Sequence, residues 1–243
     1  MNYRQLIPIS LRLNYALVKR YLKDYFNGVQ PVIAKDCFSD QHLPFAISVK
    51  QAIKKSSYFE NKIHNLSIAS KCINQRVIKS GEIFSFWQVI GNPQKKKGYK
   101  TGRNLINGKI SEDFGGGLCQ LSGLIYHLAL ITGLKIIERY SHSVDIYKES
   151  ERFTPLGSDA TVVYGYKDLR IMNTYPFDIL FHIEVYDESL CGEIKSSSLI
   201  SERIIEFEKR AEKDSVEVFT KWISHDKVEI INVSRYLIHI SGQ

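Results

Sequence analysis

Apolar and polar positions along the chain fall into two periods, one helical and one alternating. Residues 8–27 carry helical spacing, with Pro8 near the start and Gly28 just past the end. In "NKIHNLSIASKCINQRVI", residues 61–78, Ile63, Leu66, Ile68, Ala69, Ile73 and Val77 predict an amphipathic helix against a core. Ser80–Gly81 breaks it, and "EIFSFWQVIG" reads as a buried strand or turn edge. After "DFGGGLCQ", Leu121, Leu124, Ile125, Leu128 and Ile131 predict a helix starting near Cys119 and stopping at Gly133. The next stretch, "LKIIERYSHSVDIY", alternates Ile136, Glu138, Tyr140 and His142. It predicts a strand over Lys135 to Ser143 with Tyr140 and His142 on one side. Further on, "IIEFEKRAEK", "VEVFTKWIS" and "VEIINVSRYLIHI" read as strands with charged outer faces.

These elements give an α+β chain in three segments. Residues 1–60 form a helical N-terminal region. Residues 61–190 form a mixed central domain in which a glycine loop and a cysteine-bearing helix pack on antiparallel strands. Residues 191–243 form a β-rich extension. No internal repeat or low-complexity segment interrupts them.

Charge narrows the partners. Lys and Arg outnumber Asp and Glu by 33 to 26, a net charge of +7, which favours anionic partners without selecting one. No nucleic-acid-binding signature is present, and the basic run Lys95–Lys96–Lys97 sits among turn residues as a solvated loop. The four cysteines have no zinc-ligand spacing, so no metal site is expected, and nothing implies a cofactor. Arg12 and Asn14 interrupt the apolar residues of the N-terminal stretch, and no apolar run reaches a membrane span. The expectation is a cytoplasmic protein. Within residues 4–26, Arg4, Arg12, Lys19, Arg20 and Lys23 lie among Leu, Ile, Tyr and Phe. Such a helix either packs on its own domain or makes peripheral contact with an anionic membrane.

The candidate chemistry centres on Cys119. Gly115, Gly116 and Gly117 precede it, either as a tight turn leaving room for a ligand or as a flexible loop ahead of a buried thiol. In the first turn of a helix, free N–H groups and the helix dipole favour a thiolate and can hold an oxyanion. Gln120 is positioned to add a donor. His142 is the candidate base and Asp159 the candidate group orienting it, although a turn or strand-entry role suits Asp159 equally. Tyr140, on the side of His142, and Arg170 join the glycines as substrate-binding candidates. Arg170 either takes a substrate carboxylate or sits in an ordinary ion pair. The remaining histidines lack a comparable setting.

Four stretches in order, "GEIFSFWQVIGNPQKKKGYKTGRNLINGKI", "GGGLCQLSGLIYHLAL", "ERYSHS" and "GSDATVVYGYKDLRIMN", resemble the VanW family from about Leu66 to Val185. The family takes its name from an accessory protein of vancomycin-resistance clusters in Gram-positive bacteria, and the length resembles its short members. The resemblance implies a cysteine L,D-transpeptidase-like acyl-transferase or peptidase acting on peptidoglycan stem peptides or their precursors. It places the family cysteine on Cys119 and the histidine of S-H-S on His142. The competing expectation is a non-catalytic module that binds a cell-wall peptide or glycopeptide, with Cys119 structural.

Overall fold

A computed structural model describes residues 7–35, 37–39, 42–106, 109–145, 152 and 154–238. Its centre is helix α4 (Leu118–Ile131), buried on nearly every side. The sequence shows an apolar stripe on this helix, but the structure encloses it all round. Helix α2 (Phe59–Ile73) lies on one side of it. Strands β1 (Phe45–Ala52) and β10 (Ser189–Ser196) lie on another. The stop predicted at Gly133 is real: the Leu134 amide bonds the Ala129 carbonyl and the Gly133 amide the Leu130 carbonyl, the double bond of a Schellman ending.

The main sheet runs β1–β10–β9–β2, with β9 (Ile179–Tyr186) between β10 and the short β2 (Arg76–Ile78). It takes strands from the N-terminal, central and C-terminal segments. At Gly192, on β10, an added Cβ would lie 2.4 Å from a Leu124 methyl, so the missing side chain is what lets α4 approach the sheet. The helix predicted over 61–78 ends at Ile73. Gln75 takes a positive φ of 61°, and the chain turns into β2. The "EIFSFWQVIG" stretch divides into β3 (Ile83–Ser85) and a one-turn helix α3 (Phe86–Ile90), whose Gln88 amide donates to the Ser85 hydroxyl.

A three-stranded sheet orders β3, β8 (Arg170–Met172) and β6 (Lys135–Glu138). The predicted strand to Ser143 stops at Glu138 because β8, its partner, is three residues long and its register ends at the Glu138–Arg170 pair. Residues 139–142 continue as irregular chain into the two-residue strand β7 (Val144–Asp145). The three predicted C-terminal strands are present as β11 (Ile204–Ala211), β12 (Ser215–Ile223) and β13 (Val228–Ile238). They form a meander that closes onto β7 through a parallel pair, Leu237 with Val144 and Ile238 with Asp145. Strands β4 (Thr101–Ile106) and β5 (Lys109–Phe114) form a hairpin leading into the glycine turn. Helix α1 (Ile9–Phe26) lies outside these layers.

Candidate active site

The glycine turn is built by packing. Asn65, buried on α2, donates to the carbonyls of Lys100 and Gly116 at 2.9 and 3.1 Å and accepts from the Lys100 amide at 2.8 Å. Gly116 sits so close to β4 that a Cβ on it would lie 2.5 Å from the Gly102 backbone. Gly117 caps α4 with φ at 101°, a left-handed conformation open to glycine at little cost. Cys119 is therefore the second residue of the helix. The Leu118 and Gln120 amides bond the carbonyls of Gly115 and Gly117. Among the described residues the Cys119 amide makes no such bond.

The segment carrying Asp159 is stitched to the same helix. Ser122 donates to the Ala160 carbonyl at 2.6 Å, and His127 Nδ1 lies 2.7 Å from the Ser158 hydroxyl. Gly123 faces the Ser158 carbonyl between them, where a Cβ would be at an ordinary 3.7 Å. Asp159 Oδ2 then accepts from the backbone N–H of His142 at 2.7 Å and pairs with its Nδ1 at 2.6 Å. Its other oxygen takes Arg139 Nη2 at 3.0 Å and the Tyr236 hydroxyl. Nε2 of His142 is not used by Asp159, and the Cys119 thiol, whose Sγ lies 4.0 Å from the Val162 carbonyl, interacts electrostatically with the same ring.

The electrostatics follow from these contacts. Burial alone would push the His142 imidazole down, but hydrogen bonds to the Asp159 carboxylate and the Cys119 sulfur raise it to about 10. Burial would push the Cys119 thiol up. The His142 contact outweighs that and holds it below its ordinary value. Burial would likewise raise Asp159, yet the His142 hydrogen bond and the Arg139 charge hold its carboxyl well below the usual carboxylate range. The charges favour a thiolate beside an imidazolium, backed by a carboxylate.

The model of the family described as "VanW like protein" matches residues 61–195. The chain is 36% identical over 169 residues to a Bacillus subtilis (strain 168) protein named "Uncharacterized protein YoaR", covering 68% of this chain and 54% of that one. It is 37% identical over 137 residues to the "Vancomycin B-type resistance protein VanW" of Enterococcus faecalis (strain ATCC 700802 / V583), covering 56% and 50%. The chain belongs to the VanW family. It spans about half the length of these two relatives. No solved structure matches it significantly.

Within the VanW match the structure brings together Cys119, His142 and Asp159, and it sends several other predicted residues elsewhere. Arg170 is 4% exposed and gives its guanidinium to Asp24 of α1 through two 2.7 Å bonds and to Asp168 at 3.1 Å. It is committed to an internal ion-pair network and does not face a ligand. Gln120 turns its amide nitrogen to the Ala52 carbonyl at 2.9 Å, away from an oxyanion role. Gly115 and Gly116 are buried turn glycines packed on Pro93 and Gly102, and Gly117 rests on the Lys62 stem, so the triplet shapes the helix start instead of cradling a ligand. Tyr140 is 40% exposed and has the Lys167 ammonium 5.6 Å from its ring centre. Glu138, predicted on the same side of the strand as His142, takes Arg20 of α1 and the Asp168 amide.

Sequence reasoning missed the residues that hold Asp159. Arg139, its side chain 5% exposed, also bonds the Asp159 carbonyl at 2.7 Å, the Gly157 carbonyl at 3.1 Å and the Ser234 hydroxyl. Tyr236 and Ser234 lie on β13, outside the VanW match. A local signal existed only for Arg139, which stands within "ERYSHS"; none marked the two β13 residues. Among the described residues, no three His, Cys, Asp or Glu side chains are grouped to hold a metal. No helix of the described chain is long and apolar enough to cross a membrane.

Proposed function

We propose that this VanW-family protein is a cysteine-dependent acyl-transferase or peptidase of the L,D-transpeptidase type, acting on peptidoglycan stem peptides or their precursors. One observation carries the reading: Cys119, at the start of α4, interacts with an imidazole whose Nδ1 lies 2.6 Å from a carboxylate. In this reading the Cys119 thiolate attacks a peptide carbonyl carbon, and the carbonyl electrons move onto its oxygen. The Cys119 amide, together with the positive end of the helix, is the donor available to that oxyanion. As the tetrahedral species collapses, His142 gives its proton to the departing amine and a thioester remains on Sγ. An acceptor amine, or water, then attacks the thioester, His142 takes a proton from it, and the thiolate is restored. Asp159 keeps the imidazole oriented and its positive charge compensated throughout, without itself being protonated. The substrate class rests on the family relationship, and the net charge of +7 suits an anionic cell-wall polymer.

Intact-protein mass spectrometry after incubation with tetrapeptide-containing muropeptides tests the proposal. The expected result is a covalent acyl adduct on the wild-type chain, absent from Cys119→Ser and from His142→Ala. Binding that survives Cys119→Ala, with no adduct on the wild type, would replace the enzyme with the binding module.

A further inference from the structure

Helix α1 is clamped to the body by one face only. Leu13 and Leu17 lie against Gly165, where an added Cβ would be 2.5 and 3.6 Å from their methyl groups. Arg20 pairs with Glu138 on β6, and Asp24 with Arg170 on β8. The opposite face is apolar and open to solvent: Leu11 is 58% exposed, Tyr15 70%, Val18 57%, Leu22 46%, Tyr25 62% and Phe26 79%. Leu11, Tyr15, Val18, Leu22 and then the pair Tyr25 and Phe26 follow at three- or four-residue spacing, so they form one continuous ridge about 23 Å long at helical rise. An apolar ridge of that length on a folded surface marks a contact site.

The charges beside the ridge are all of one sign. Arg12, Lys19 and Lys23 lie along its flank by helical position, and the only acidic residue of the helix, Asp24, is turned inward onto Arg170. A second copy of the helix is a poor occupant. Across a seam between two copies these cations would meet like charges, and no acidic residue on either helix could pair with them. A bilayer with anionic headgroups satisfies both halves of the surface: apolar and tyrosine side chains enter the headgroup–acyl boundary while Lys and Arg reach anionic groups.

We propose that α1 is an interfacial membrane-docking helix that lays its Leu11–Phe26 ridge on an anionic lipid surface and holds the folded domain there. This inference is independent of the chemistry at Cys119. The test is co-sedimentation of the full chain with phosphatidylglycerol/phosphatidylcholine vesicles and with phosphatidylcholine vesicles alone. The chain is expected to bind the anionic vesicles, to bind the neutral ones far less, and to be released by raised salt. The double substitution Leu22→Ser, Phe26→Ser is expected to weaken partitioning about tenfold or more, from the apolar area lost to the membrane. The charge reversal Lys19→Glu, Lys23→Glu is expected to weaken it by a similar factor, at about 1 kcal/mol per basic residue near the surface. Unchanged circular dichroism and unchanged Cys119 alkylation show that both variants remain folded. Absence of binding to either vesicle, equal binding to both, or self-association abolished by Leu22→Ser, Phe26→Ser in a chain that ignores vesicles would each overturn the proposal.

Discussion

Replacing Asp159 by Asn removes one negative charge and keeps the size of the side chain. The carboxylate holds both Nδ1 and the backbone N–H of His142, at 2.6 and 2.7 Å. The His142 pKa of about 10 is therefore expected to fall toward the ordinary histidine value, roughly three units lower. The imidazolium that stabilises the Cys119 thiolate is then lost at neutral pH, and the thiol returns toward its ordinary pKa of about 8.5. At a pH of about 6.5 such a thiol is about 1% thiolate, so the reactive fraction falls below that of the wild-type chain, whose thiol is held below its ordinary value. The more basic thiolate is intrinsically a better nucleophile, which recovers part of that loss. The assay is the rate of alkylation by iodoacetamide against pH. The wild-type inflection should lie at lower pH than that of Asp159→Asn, which should fall above pH 8. The substitution also strips Arg139 of the one carboxylate it meets among the described residues. It should cost about 2–3 kcal/mol of stability, at the low end for a broken internal pair because the Asp159 side chain is 22% exposed. His142→Gln keeps the Arg139–Asp159 pair and should move the inflection equally, which separates the titration from any loosening of the fold. Superimposable profiles for wild type and both variants would refute the reasoning.

Tyr236→Phe removes one hydroxyl from Asp159 and should move the alkylation inflection upward by less than Asp159→Asn, with the same probe reading both. Gly116→Ala places a methyl against the Gly102 backbone and should lower stability by about 2–3 kcal/mol in urea unfolding. Gly123→Ala meets only an ordinary contact and relieves a helix-interior glycine, so it should be neutral or stabilising by up to about 1 kcal/mol. Arg170→Met leaves Asp24 and Asp168 without their shared cation and should cost about 3 kcal/mol or more by thermal unfolding. The pH profile of Cys119 alkylation should stay put, because Arg170 is not part of the site.

What the sequence made legible was local. The glycine turn followed by an apolar helical run puts Cys119 in a first turn without reference to anything distant, and the charged alternation of the three C-terminal strands is equally self-contained. The length of β6 was not legible, because it depends on β8 running out after Met172, and that shortness has no signature around residue 139. Strand β1 was missed although Phe45, Ile47 and Val49 alternate, since it is a largely exposed strand next to a proline. Arg170 and Gln120 carry groups suited to a ligand, and only the fold reveals that Asp24 and the Ala52 carbonyl already occupy them. In the sequence a turn or strand-entry role suited Asp159 equally well. Its selection rests on Ser122 and His127 drawing residues 158–160 onto α4, and on Arg139 and Tyr236 converging from 97 positions apart.

The closing of β13 onto β7 also has a consequence in time. A chain is made from its N-terminus, so Cys119 and His142 are polymerised long before Ser234, Tyr236 and the Leu237 amide that bonds the Ser143 carbonyl next to the histidine. At ordinary elongation speed the interval is on the order of ten seconds. Throughout it the thiol exists, but the strand that fixes the chain beyond His142 and the hydroxyl that completes the bonding of Asp159 do not. Translation itself therefore delays completion of the Cys119–His142–Asp159 group until the last sheet is in place.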